Sequence, residues 1–378
     1  MLIVQLANFA HATSGGIRTV LDQLGRGYRR RGHRRAVIVP AARASLELRA
    51  EGTRFIELPG RVVHGSGGYR VLTDRALVAA TLEDLRPDAI EIHDRFTLAW
   101  VARWARERGI PATVIVHERL ATSLRTFGHL GPLAGPVERL ANRRLLATTD
   151  GVVVTSGYSA AGFGGDPRAR IIPLGVDHDR FRPERRTRPL HEGGPLRLLA
   201  VGRLSAEKNP LLALDLSAEL RRRGVDHRLD LVGEGPMRPR IEYRAGQLPV
   251  RLLGHRTPDE VAGRIADADL VIVTCPQEAF GLAPLEALAC GTAIVAPTTG
   301  AVRELLGMHD QTPTVTPAGA TAFPAPAEVA DAVLALRGID PAIRRAAAVR
   351  RAAVYPWEDT VSRMLLRHRA QPPIAIAR

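Results

Sequence analysis

Short runs of apolar and β-branched residues recur along the first half of the chain, at residues 2–6, 36–39, 55–58, 89–92, 112–116 and 152–155. Their length and their polar or Gly-containing boundaries predict strands. Between most of them lie longer amphipathic stretches, such as 16–31 and 70–85, that predict helices. Strand and helix in alternation build parallel sheets covered by helices. The alternation stops at 177–195, which is rich in Arg, Pro and Gly, has almost no apolar content, and reads as an interdomain linker. It resumes with strands at 196–201, 229–232, 250–253, 270–274 and 293–296. No short repeat or long low-complexity tract is present. The expected fold is α/β, two doubly wound Rossmann-like domains in tandem. They cover residues 1–176 and 196–355, joined by the linker 177–195 and followed by a helix and tail at 356–378.

Composition agrees. A chain of 378 residues exceeds one ordinary core and suits two domains of roughly 150–200 residues each. A hydrophobic fraction of 45% with 24% charged residues belongs to a globular protein and excludes wholesale disorder. No stretch approaches the roughly 20 apolar residues of a membrane-spanning helix. Met1-Leu2-Ile3-Val4 runs straight into a strand without the features of a signal peptide, so the cytoplasm is the expected compartment. Cys275 and Cys290 sit in apolar surroundings, where buried free thiols are expected.

Charge changes the picture. Of 53 basic residues Lys208 alone is lysine. A sequence that writes Arg almost everywhere singles out a position that needs a compact ammonium. The net charge of +14 is uneven: +10 over residues 1–176 and +4 over the remainder. A basic first half suits an anionic partner, whether a membrane surface, a phosphorylated acceptor or nucleic acid. With aromatics at only 4% and no basic-aromatic platform, nucleic acid is not expected.

Open parallel sheets bind ligands beyond the carboxyl ends of their strands. After the first strand, Gly15-Gly16 opens a helix. Such a turn lets backbone approach an anion, though alone it is also an ordinary turn, and no G-x-G-x-x-G is present. In the second half, Gly202-Arg203-Leu204 leads to Lys208 at a strand end, a place suited to a diphosphate. Gly233-Glu234-Gly235 makes another Gly-rich turn at the same edge. Glu278-Ala279-Phe280-Gly281-Leu282 then opens a helix that contains Glu286 about one turn inside. Both carboxylates can face one ligand with hydroxyls at either end. No His/Cys cluster with metal spacing is present.

These motifs, in this order, resemble the retaining GT-B glycosyltransferases of glycosyltransferase family 4, and the resemblance covers nearly the whole chain. It implies two domains facing a cleft, no required metal or cofactor, and a nucleotide-sugar donor as co-substrate. It further implies that Arg203 and Lys208 hold the donor diphosphate and that Glu286 binds the ribose hydroxyls. Glu278 would contact the transferred sugar, and the Gly254-His255-Arg256 turn would lie beside the base. His117, after the strand 112–116, matches the active-site histidine of the family; a polar residue that merely packs is the alternative. Asp94 follows another strand end and is a candidate acceptor contact or a solvated loop residue. Gly67-Gly68-Tyr69-Arg70 opens a helix and offers an anion site, with Tyr69 and Arg70 toward the acceptor. The helix from Trp357 would cross back onto the first domain, with the segment 371–378 loosely held.

The stretches Val4 to Phe9, Ser14 to Thr19, Gly67 to Arg70 and His117 to Leu120 sharpen this to a resemblance with actinobacterial mannosyltransferases that elaborate phosphatidylinositol mannosides. That implies GDP-mannose as donor, a glycolipid acceptor, and work at the inner face of the plasma membrane. Arg29–Arg31 with Arg34 and Arg35 would suit an anionic lipid surface, or form a solvated helix end. Related transferases act on soluble natural products or use UDP-sugars, and a noncatalytic nucleotide-sugar sensor would share Arg203, Lys208 and Glu286. The resemblance also implies front-face attack, a diphosphate oxygen taking the acceptor proton, and no side-chain nucleophile.

Overall fold

The computed structural model describes residues 1–8, 15–49, 52–63, 68–126, 131–190 and 194–369. Phe9, Ser14, Gly67 and the tail 371–378, all named above, lie outside the described residues. The chain divides into two compact units, Met1–Leu174 with the last helix, and Gly175–Pro356.

Among its described residues the first unit carries ten strands: β1 (Leu2–Leu6), β2 (Arg34–Ala41), β3 (Ser45–Arg49), β4 (Thr53–Pro59), β5 (Arg61–Val62), β6 (Arg70–Val71), β7 (Ala89–Ile92), β8 (Ala112–Val116), β9 (Val152–Val154) and β10 (Ala169–Ile171). Eight form a sheet in the order β10-β9-β8-β7-β1-β2-β4-β3, while β5 and β6 pair as a separate hairpin. Sheet neighbours run parallel except β3 on β4. β1, β7 and β8 are buried at every position, as a sheet covered on both faces requires. The edge strand β3 is exposed throughout, which is why no apolar run announced it.

The helices of this unit are α1 (Gly16–Arg30), α2 (Arg75–Leu85), α3 (Trp100–Arg106), α4 (Leu120–Thr126), α5 (Ala134–Thr148) and α6 (Gly157–Ala160). α1 buries Val20, Leu21, Leu24 and Tyr28, a stripe at helical spacing. Residues 70–85 are a single helix in the sequence reading, and the structure corrects this. Arg70 and Val71 are strand residues, and α2 starts only where Asp74 caps it, accepting from the Leu77 N–H at 3.0 Å.

The second unit repeats the scheme with β11 (Leu196–Val201), β12 (His227–Val232), β13 (Val250–Gly254), β14 (Leu270–Ile272), β15 (Ala293–Pro297), β16 (Thr314–Thr316) and β17 (Gly319–Ala322). Their order is β13-β12-β11-β14-β15-β17-β16, with only β16 antiparallel. The helices are α7 (Leu211–Arg222), α8 (Arg238–Ala245), α9 (Pro258–Asp267), α10 (Leu282–Ala289), α11 (Val302–Leu305), α12 (Pro326–Arg337) and α13 (Pro341–Ala352). Leu198, Leu229, Leu270 and Val295 from the sheet pack with Leu216, Leu220, Val333 and Leu336 from α7 and α12. The stretch read as a linker is bound to this unit over its described part. Thr187 donates from N and Oγ1 to Asp267 at 2.8 and 2.9 Å. Arg186 reaches the Ala266 carbonyl at 2.8 Å. Guanidinium groups here satisfy helix-end carbonyls, so a run poor in apolar residues is still held in place.

The last helix, α14 (Trp357–Arg369), belongs to the first unit and lies along α1. Arg31 donates to the Glu358 carbonyl at 3.2 Å and Ser362 Oγ at 2.7 Å, and Thr360 donates to the Pro173 carbonyl at 2.8 Å. A Cβ at Gly27 would run into Val361 Cγ2. Glycine at that point of α1 lets the two helices approach.

Candidate active site

In the second unit the strand-end turns lock together through backbone. Gly202 N–H donates to the Val232 carbonyl at 3.0 Å, Leu204 N–H to that of Glu234 at 2.9 Å, and Gly233 N–H to that of Gly254 at 2.9 Å. Gly233 takes φ 140°, and a Cβ there would strike the Gly202 carbonyl oxygen. Only glycine lets the turns after β11 and β12 come this close. Glu234 pairs with Arg238; His255 is exposed and Arg203 half-buried.

Lys208 lies in a 3-10 turn after β11 that is latched to the segment after β14. Thr274 Oγ1 donates to the Lys208 carbonyl at 2.6 Å, and Cys275 Sγ to that of Glu207 at 3.3 Å. The latch brings Lys208 Nζ to 2.8 Å from Glu278 Oε2, with the two side chains 35% and 21% exposed. Residues 70 apart in sequence thus form one charge-assisted pair. Glu278 is held from behind, its carbonyl accepting from Ala301 N–H at 2.8 Å.

Three residues on, Gly281 caps α10 with φ 98°, no side chain caps the helix, and its first turn carries no acidic residue. Its amides are available to an anion. Phe280 is buried edge-on to Tyr355 with ring centroids 6.1 Å apart, and Leu282 is half-buried. Glu286 lies in the second turn of α10. Burial pushes its carboxyl up to about 7, with Arg180 opposing and Asp177 adding to the rise. Cys275 and Cys290 are free, buried thiols, each pushed up to about 12 chiefly by burial.

In the first unit, Gly15 and Gly16 stand at the N-terminus of α1, which no side chain caps and no first-turn acid occupies. His117 follows β8, and its Nε2 lies 2.9 Å from Nδ1 of His93, just after β7. Burial pushes His117 down to about 3, with His93 acting in the same direction and Glu91 against it. A neutral imidazole is therefore available at neutral pH, able to donate or accept a hydrogen bond but not to act as a cation.

A family model described as "Glycosyl transferases group 1" matches residues 181–333, and one described as "Glycosyl transferase 4-like domain" matches residues 15–175. The chain is 40% identical over 374 residues to the GDP-mannose-dependent alpha-(1-6)-phosphatidylinositol dimannoside mannosyltransferase of Mycobacterium tuberculosis, covering 97% of this chain and 95% of that protein. The chain belongs to the group 1 glycosyltransferases. A 2-deoxystreptamine glucosyltransferase of Streptomyces kanamyceticus is 30% identical over 63% of this chain and 64% of its own. Among solved structures, sucrose-phosphate synthase of Thermosynechococcus elongatus superposes with a TM-score of 0.75 at 18% identity, covering 97% of this chain and 98% of that one. Anabaena HepE in complex with UDP and glucose gives 0.72 at 18%, covering 97% and 99%. At those identities the likeness speaks to the fold alone, which is GT-B.

The transferase departs from the sequence reading at three places. Asp94 is not a solvated loop residue: it is 4% exposed and accepts from Asn8 Nδ2 at 2.8 Å and from the Phe96 and Thr97 N–H groups at 2.9 Å. It shapes the loop after β7. Tyr69 and Arg70 open a strand, and Arg70 gives Nη1 to the Gly60 carbonyl at 2.8 Å. Arg31 and Arg35 are committed internally, Arg31 to α14 and Arg35 to Gln5 Oε1 at 2.7 Å. The residues missed are Glu91 and His93. The signal was present in Ala89-Ile90-Glu91-Ile92, where a carboxylate in an apolar central strand has no route to water and must have partners.

Proposed function

We propose that this glycosyltransferase moves mannose from GDP-mannose to a phosphatidylinositol mannoside-type glycolipid with retention of configuration. The observation that carries the reading is the similarity to the mycobacterial mannosyltransferase over nearly the full length of both proteins. Arg203 and Lys208 bind the donor diphosphate, and the bare amides of α10 after Gly281 take its remaining oxygens. In the second unit the Gly202, Gly233 and Glu234 turns shape the donor pocket, with Gly254 and His255 at the base; Gly15 and Gly16 keep the donor-binding role that the family resemblance gives them. Phe280 and Leu282 fix the start of α10. Glu286 receives the ribose hydroxyls, while Glu278 and neutral His117 hydrogen-bond the mannosyl group. As the anomeric C–O bond to the diphosphate breaks, Lys208 and Arg203 stabilise the leaving charge. The acceptor hydroxyl bonds to the anomeric carbon on the same face and passes its proton to a diphosphate oxygen.

Tyr69 and Arg70 serve the acceptor side in this reading. No described helix is long and apolar enough to cross a membrane. Contact with an anionic bilayer would come through α5 and the residue before it, where Leu133, Val137 and Leu140 are 61%, 40% and 52% exposed beside exposed Arg139, Arg143 and Arg144. Titration calorimetry with GDP, UDP and ADP and their sugars tests the donor. Tightest binding of GDP-mannose supports the reading. Preference for a UDP-sugar would overturn the mannosyl assignment and favour a natural-product acceptor of the kind named for the Streptomyces relative.

A further inference from the structure

Behind His117 the first unit holds a buried polar chain that the sheet core alone does not need. Glu91, with no exposed surface, sits at its centre. Its Oε2 accepts from Gln5 Nε2 at 2.6 Å and faces His93 Nε2 at 3.5 Å. Its Oε1 accepts from the Tyr28 hydroxyl and from His368 Nε2 at 2.9 Å. His93 in turn meets His117 at 2.9 Å, the two rings nearly coplanar at 12°. The chain thus runs from α14 through the central strand β7 to the residue after β8.

We propose that Glu91, His93 and His368 are positioning residues that hold His117 in one orientation and one tautomer, making the C-terminal helix a working part of the transferase site. The inference rests on the assignment of His117 to the donor sugar. Its logic is that of a carboxylate fixing an imidazole that fixes another group. The carboxylate faces Nε2 of His93, so that ring carries its proton there and leaves Nδ1 to accept the Nε2–H of His117. His117 then keeps a bare Nδ1, an acceptor for a sugar hydroxyl. Burial alone would raise Glu91, but the hydrogen bond from His368 and the approach of His93 outweigh it and hold the carboxyl well below its ordinary range. An ionised anchor of this kind costs too much in a core to be kept without compensating partners; here Gln5, Tyr28 and His368 hydrogen-bond it and His93 Nε2, buried with no other partner among the described residues, approaches it at 3.5 Å. Gln5 is itself oriented by Arg35, so the first-unit core and α14 converge on the same carboxylate.

The test uses the full-length protein with ring-nitrogen NMR of its histidines beside steady-state kinetics. In the unmodified protein His117 should show a single tautomer protonated on Nε2. Glu91→Gln should give a mixture of tautomers and lower kcat by about 10–100-fold, the range for loss of such an orienting partner, with GDP affinity unchanged. His368→Leu should act in the same direction, and His368→Gln, whose amide can donate from the position of Nε2, should restore most of the loss. These two variants decide the matter if Glu91→Gln does not fold. An unchanged His117 tautomer and kcat in folded His368→Leu would overturn the proposal, as would equal losses in the Leu and Gln variants. Full turnover in His117→Ala would instead overturn the role of His117 itself, and the NMR spectra separate the two failures.

Discussion

Replacing Glu286 with glutamine should separate two consequences of one half-buried carboxylate. Its carboxyl is raised from an ordinary 4.5 to about 7 by burial. The folded protein therefore keeps a proton that the unfolded chain has lost between those values. Stability falls across that window as pH rises and levels off above about 7. At about 1.4 kcal/mol per pH unit the cost is about 3–3.5 kcal/mol at pH 8 and becomes small near pH 4.5, an order-of-magnitude figure. Glutamine has the same shape without the charge, so the unliganded Glu286→Gln protein should melt higher than the parent at pH 8 and equally near pH 4.5. Ligand binding should move the other way. If ribose hydroxyls donate to the ionised carboxylate, GDP affinity in the parent should fall about tenfold from pH 8 to pH 6, as the ionised fraction falls. Any fall in Glu286→Gln would reflect only the titration of GDP and the remaining site. Scanning calorimetry at the two pH values and titration calorimetry with GDP across the range measure both. A variant that melts no higher at pH 8, or that keeps the parent's pH dependence of GDP binding, would refute the reasoning.

Lys208→Ala removes a charge-assisted contact worth about 1.5–3 kcal/mol, so nucleotide-sugar affinity should fall at least about tenfold by calorimetry. Glu278→Gln should leave GDP binding intact while lowering kcat, because it discharges the partner of Lys208 but not the diphosphate contact; equal loss of GDP binding in both carboxylate variants would contradict the division of roles. Gly27→Ala places a methyl against Val361 and should destabilise the α1–α14 contact by about 1–3 kcal/mol, read as a lower melting temperature. Leu140→Asp combined with Arg143→Gln and Arg144→Gln should weaken binding to phosphatidylinositol-containing vesicles, and the parent's binding should weaken with added salt.

The two sheets were legible because strands buried on both faces are written as apolar runs, and β1, β8 and β11 appear with the boundaries the runs suggest. What escaped was written differently. β3 exposes every residue, β6 looked like the start of a helix, and residues 177–190 are held by side-chain hydrogen bonds around a single buried apolar side chain, Phe181, too little to form an apolar run. At the site, Lys208 stood out by being the only lysine, and its pairing with Glu278 follows from strand-end topology. Asp94 shows the limit of that reasoning. A strand-end carboxylate is placed correctly by topology, yet whether it turns outward or binds its own loop depends on Asn8, Phe96 and Thr97, which no pattern reveals. Glu91 was visible as an oddity, but its partner His368 lies 277 residues away.

The most direct measurement is sugar transfer itself. The purified protein, given GDP-mannose and a phosphatidylinositol mannoside acceptor in vesicles, should yield a lipid heavier by one hexose in mass spectra, with an α-linkage by NMR. Lys208→Ala and Glu278→Gln should depress that product. Hexose transfer from a UDP-sugar to a soluble acceptor, with none from GDP-mannose to lipid, would contradict the mannosyl and lipid assignments. Binding of GDP-mannose without any transfer to any acceptor offered would contradict the enzyme itself.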